Sequence, residues 1–159
     1  MRLYLMRHGK AEIGEADNLR PLSPRGISDV EGISKYAAAQ GVEIKQIYHS
    51  NLLRAQQTAT IMAVALNPPF GSKAVEGIEP WGDVMDFIAT ANTWCDDTMV
   101  CGHEPFMGQA ALKLQANVDD VKWVNFKTAT VAAFEQNSDD QNWNLLWTKD
   151  AKTLRGQRS

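Results

Sequence analysis

The chain has 159 residues, a net charge of -3, and 44% hydrophobic and 22% charged residues. That length suits one domain over residues 1–159 with a single core, at ordinary globular composition. The acidic balance argues against a nucleic-acid partner, and no stretch approaches the roughly 20 apolar residues of a membrane span.

RLYLM (residues 2–6) reads as a buried strand that ends abruptly in Arg7, His8 and Gly9. No charged leader or cleavage pattern accompanies it, so a cytoplasmic location is expected. Residues 8–22 are rich in Gly, Asp, Asn and Pro and read as a loop. Ser23 is the expected cap and Pro24 the first position of a helix. Ile27, Val30, Ile33 and Ala37 follow at helical spacing, and Gly41 ends the run. EIKQIYHS (43–50) predicts a second strand and LLRAQQTATIMAVAL (52–66) a second helix, closed by Asn67-Pro68-Pro69.

VEGIEPWGD (75–83) has no clear period, and DVMDFIATANTW (83–94) predicts a third helix. DTMVCGH (97–103) predicts a third strand that also ends in Gly-His, and Pro105 opens a fourth helix through GQAALKLQA. TATVAAFEQ (128–136) and NWNLLWTK (142–149) flank the turn NSDDQN, a hairpin pattern. Residues 150–159, with KTLRGQRS, are expected to be a frayed polar tail. Cys95 and Cys101 form neither a disulfide framework nor a CxxC metal signature, and both are expected to be buried free thiols.

Strands alternating with helices predict an α/β fold with a largely parallel sheet, to which the hairpin adds antiparallel strands. Ligands of such sheets bind outside the carboxyl ends of the strands. Arg7, His8 and His103 follow strands at that end, and Arg54 stands near the start of a helix there. Two arginines are permanently charged, bidentate grips for an anion. A helix start adds backbone donors, and histidine is a nucleophile toward phosphorus as well as an acid or base. Two arginines repel a cation, so this set suits phosphate and makes a poor metal site. His49 also ends a strand but lacks a partnering motif and reads as structural. The competing readings are a binding module without turnover and a metal-dependent hydrolase using His8, His49 and His103.

LMRHGKAE, HSNLLRAQQTA and VCGHEP, in this order, resemble the three signatures of the histidine phosphatase superfamily. RPLSPRG, SNLLRAQQTA and GIEPWGD resemble more particularly its small SixA-type phosphohistidine phosphatases. The resemblance implies a phosphoglycerate mutase-like three-layer α/β/α sandwich with a mostly parallel central sheet and no cofactor or metal. It implies that His8 is the nucleophile and that Arg7, Arg54 and His103 hold the phosphoryl oxygens. Gly9 would let the backbone turn tightly beside the phosphate, and Asp17 and Arg20 match polar positions near the mouth. Lys10 departs from the pattern, standing where relatives often carry an acid.

Larger members insert a helical cap over the pocket, and the stretch from Leu66 to Thr98 is too short for one of any size. An open pocket suits a histidine-phosphorylated protein, such as a phosphotransfer domain, and the enzyme is expected to be a monomer. A small-molecule phosphomonoesterase on the same chassis is the alternative. It would need a carboxylic acid to protonate the departing oxygen, for which Glu76, Glu79 and Glu104 are the candidates.

Overall fold

The computed structural model describes residues 1–156. Six strands make one sheet: β1 (Arg2–Arg7), β2 (Gln46–His49), β3 (Ser72–Ala74), β4 (Thr98–Gly102), β5 (Thr130–Gln136) and β6 (Trp143–Asp150). Their order is β3-β2-β4-β1-β5-β6. β1 pairs in parallel with β4, and β2 with both β4 and β3, while β5 runs antiparallel to β1 and β6. Five α-helices complete the described residues: α1 (Pro24–Ala39), α2 (Leu53–Leu66), α3 (Val84–Ala91), α4 (Phe106–Leu114) and α5 (Ala151–Gly156).

The central position of β1 explains its unbroken apolar run. Leu3 and Leu5 face one side of the sheet, packing in a core with Phe87, Phe106, Ala110 and Ala111 of α3 and α4. Tyr4 and Met6 face the other, packing with Val30, Ile33, Ala59 and Met62 of α1 and α2. The period-2 alternation of a strand thus supplies two cores and three layers. Each fully buried large side chain contributes about 1.5–3 kcal/mol relative to exposure.

Local chemistry sets the helix starts. The Ser23 hydroxyl accepts the Gly26 amide at 3.0 Å, and one Asp83 oxygen accepts the amides of Met85 and Asp86 at 3.0 and 3.1 Å. Asn67 closes α2 in the left-handed region at φ 48°, a conformation that Asn adopts more easily than most residues.

Three expectations need correction, and one strand forms where none is expected. Residues 151–156 are not a frayed tail but helix α5, with Ala151 buried and the Arg155 guanidinium paired with the buried Asp29 carboxylate; residues 157–159 lie outside the described residues. β3 forms within a segment that shows no strand alternation, because the edge of β2 supplies its ladder. Ile27 is exposed, and Gly26 takes its place on the buried face of α1. Cys101 is a buried thiol, whereas Cys95 is exposed.

The sheet places three strand ends side by side. Arg7 is level with Gly102, and His49 with Cys101. The residues that follow, His8, Ser50 and His103, therefore emerge along one edge.

Candidate active site

The His8 peptide is held on both flanks. Its N–H donates to Gly102 O and its carbonyl accepts from Ala129 N, each at 3.0 Å. His8 Nδ1 lies 2.6 Å from the carbonyl of Gly9. A carbonyl only accepts, so Nδ1 carries the proton and Nε2 the free lone pair. The Gly9 N–H donates to Thr58 Oγ1 at 3.1 Å, and that hydroxyl donates to Arg54 O at 2.8 Å. The tip of β1 is thereby tied to the first turn of α2.

Gly9 is required for a reason other than a tight turn. Its φ is not positive. A Cβ there would lie 2.8 Å from the Val30 side chain and 2.9 Å from the Gly26 carbonyl. The missing side chain lets the loop sit directly on α1.

Arg54 enters from the start of α2 and is buried. Its guanidinium donates to Asp17 O at 2.7 Å and lies 3.4 Å from the Asp17 carboxylate. Arg20 donates to Glu12 O at 2.8 Å and sits 3.5 Å from that same carboxylate. Asp17 thus aligns two arginines, although its own side chain is 60% exposed, which makes each ion pair weak in itself. Arg7 donates to Phe126 O at 2.8 Å. The His103 ring lies with its centroid 5.1 Å from that of His8.

Arg7, His8, Arg20, Arg54 and His103 line one cavity of about 350 Å³, together with Lys10, Pro80 and Glu104. A larger cavity of about 570 Å³, between Tyr48, Phe87 and Trp94, has no histidine or arginine among the described residues of its wall. The chemistry therefore selects the smaller one. Among the described residues its wall has four cationic side chains and one carboxylate, a field made for an anion. Among the described residues, two buried side-chain nitrogens on that wall have no hydrogen-bond partner, Arg7 Nε and His103 Nδ1.

Asp17 reaches this cavity only through the two arginines, and Gly9 lies behind it against α1. His49 does not line it, and its Nδ1 meets the Ser50 carbonyl at 2.8 Å. Of the three candidate acids, Glu76 lines the larger cavity. Glu79 accepts the Gly77 amide at 3.0 Å and stands outside the wall. Glu104 is on the wall, with one oxygen accepting the Gly108 amide at 2.6 Å. Sequence reasoning singled out neither Thr58 nor Ser50. Both lie inside the SNLLRAQQT stretch, but nothing in the spacing shows which groups they meet.

Burial and the nearby Arg54, Arg7 and Arg20 lower the His8 pKa to about 4, against the pull of the Gly9 carbonyl. Burial, His8 and the same two nearest arginines lower that of His103 to about 3. Burial also lowers Arg7, without threatening its charge. Both imidazoles are therefore neutral at pH 7. Below the unfolded value of 6.5 the unfolded chain gains protons that the folded chain refuses, so stability falls as pH drops from about 6.5 toward 4. Thermal melts over that range should show a falling Tm. The fall should be smaller in His103→Gln, and an equal fall in both proteins would contradict the neutral buried imidazole.

The description "Histidine phosphatase superfamily (branch 1)" belongs to the family model that matches residues 3–75. The phosphohistidine phosphatase SixA of Escherichia coli K12 is 27% identical over 150 residues, which cover 91% of this chain and 93% of that protein. An uncharacterized protein of Picosynechococcus is 33% identical over 119 residues, covering 70% and 71%. Among solved structures, the protein histidine phosphatase SixA complexed with tungstate superposes with a TM-score of 0.87 at 25% identity, covering 97% of this chain and 99% of that one. A phosphoserine phosphatase mutant from Entamoeba histolytica, at 13% identity and TM-score 0.70, shares the fold over 95% of this chain and 98% of its own.

Proposed function

This chain belongs to the histidine phosphatase superfamily, with its phosphoglycerate mutase-like fold and no large insertion, and from that premise we propose that it dephosphorylates a histidine-phosphorylated protein. The observation that carries the proposal is the pair of partnerless buried nitrogens, Arg7 Nε and His103 Nδ1, on the wall that also holds the His8 ring. A buried polar group without a partner is costly, and a phosphoryl oxygen would satisfy Arg7 Nε, and His103 Nδ1 in the tautomer that carries its proton there. The likeness to a phosphohistidine phosphatase over nine-tenths of both chains supports the choice of substrate class.

In the proposed reaction, the His8 Nε2 lone pair attacks phosphorus as the substrate's P–N bond breaks. The substrate's ring, protonated on its other nitrogen, departs as neutral imidazole. Water then attacks phospho-His8, the enzyme's P–N bond breaks, and orthophosphate leaves. The Gly9 carbonyl holds the Nδ1 proton and orients the ring throughout. Arg7, Arg54 and His103 neutralise the transferring oxygens, the task that dominates phosphoryl transfer. Arg20 adds a third cation near the mouth, aligned by Asp17. The reaction needs no metal in this scheme, because the arginines supply the positive charge.

One observation favours a second reading, cleavage of small phosphate esters. Glu104 stands on the cavity wall, and an alkoxide needs a protonating acid that a phosphohistidine does not. A phosphohistidine ring protonated on its other nitrogen leaves as neutral imidazole, the conjugate base of an acid of pKa about 6.5, and needs no further proton. We expect the wild type to cleave a phosphohistidine protein much faster than an alkyl phosphate. Glu79→Gln and Glu104→Gln should each change phosphohistidine hydrolysis by less than about threefold, far below the 10²–10⁴ that a general acid contributes. Rates of the three proteins on both substrates make the test. Faster ester cleavage by the wild type, abolished in either variant, would establish the ester reading instead.

A further inference from the structure

We infer that Ser50 is a positioning residue that fixes the tautomer of His103, so that its single free N–H is available to a phosphoryl oxygen. Ser50 follows β2, is completely buried, and places its hydroxyl 2.5 Å from His103 Nε2. The Leu52 N–H donates to the same oxygen at 3.3 Å.

The direction of the Ser50–His103 bond follows from counting protons. A hydroxyl has one proton to give and two lone pairs to offer. Leu52 occupies one lone pair. Among the described residues, the one partner able to receive the Ser50 proton is His103 Nε2. With Nε2 accepting, the neutral ring carries its proton on Nδ1. That atom is buried and has no partner among the described residues, while its ring lines the arginine-rich cavity.

The opposite tautomer reverses the chemistry. Nε2 would donate to Ser50, the Ser50 proton would lose its acceptor, and Nδ1 would present a lone pair. A lone pair repels a phosphoryl oxygen where an N–H attracts it. Protonating His103 on both nitrogens is opposed by burial and by the neighbouring His8, Arg54 and Arg7. The Ser50 proton therefore decides whether His103 is a donor or an obstacle. A misplaced tautomer is costly even where geometry is kept.

The ligand arm of the test rests on the phosphoryl-transfer reading, and the tautomer arm does not. The full chain is labelled with ¹⁵N-histidine, and long-range ¹H–¹⁵N spectra are taken at neutral pH. The His103 signals are identified by their loss in His103→Gln. The wild type should show a protonated Nδ1 and a bare Nε2. Ser50→Ala, which removes only the hydroxyl, should show an averaged or reversed pattern. Ser50→Cys, with a weak S–H donor, should fall between. Orthovanadate should bind Ser50→Ala at least tenfold more weakly, up to the roughly 10²–10³ lost with one preorganised donor, with an unchanged circular-dichroism spectrum. A protonated Nε2 in the wild type, or a Ser50→Ala protein with unchanged tautomer and vanadate affinity, overturns the assignment. A wild type with the expected tautomer that fails to bind vanadate sinks the phosphoryl reading, and with it the use made of that N–H.

Discussion

His8→Ala is expected to remove all measurable turnover while the protein stays folded. In the proposed reaction His8 is the atom donor for the new bond, and no neighbour replaces it. His103, the nearest imidazole, has Nε2 committed to Ser50. His49 lies outside the cavity wall. The fold should survive, because the His8 backbone, not its ring, pairs with Gly102 and Ala129. The check is phosphate release from a phosphohistidine protein, run beside a thermal melt. A folded His8→Ala protein with normal turnover would remove His8 from the mechanism.

Arg54→Ala is expected to slow phosphate release by about 10²–10³ or more, the usual cost of one preorganised donor to transition-state charge. Two effects add in this variant. A buried cation leaves the wall, and the Asp17 carbonyl and carboxylate lose their partner at 2.7 and 3.4 Å. The second effect frees the short 3₁₀ turn at Asp17–Leu19 and with it the alignment of Arg20. Asp17→Asn keeps Arg54 and removes only the exposed carboxylate charge, so its rate should stay far closer to the wild type. Comparing kcat/KM of the two variants separates the cation from its support. A change below about threefold in Arg54→Ala would place that guanidinium outside the chemistry.

Much of this arrangement is legible in the residues, because it depends on periodicity and on strand ends. LYLM (residues 3–6) is apolar without interruption because β1 sits between β4 and β5 with helices on both faces. Parallel strands then force Arg7, His8 and His103 to one edge, and Arg54 meets them from the first turn of α2. The cores on the two faces follow from the same alternation.

What the residues conceal depends on partners supplied by other elements. β3 is three exposed residues whose ladder comes from β2. α5 has a polar sequence and is held by Ala151 and by Arg155 on Asp29, a residue 126 positions away. The glycine at position 9 signals close approach to α1, which no local pattern reveals. The ties from Thr58 to the Gly9 N–H and from Ser50 to the His103 ring join residues 49 and 53 positions apart. Both depend on how strand register and helix packing come together in space. Cys95 escaped the expectation of burial because it lies past the end of α3, in the exposed turn before β4.

The proposed reaction depends on a phosphoryl group carried transiently on His8. Its most direct test is a single-turnover mix of the enzyme with a radiolabelled phosphohistidine protein, quenched in alkali within the first turnover, where phosphohistidine survives. Proteolysis and mass spectrometry then locate the label. The label is expected on Nε2 of His8 in the wild type and nowhere on the His8→Ala chain. Label on another residue, or phosphate release with no enzyme-borne label in a competent burst, would contradict it.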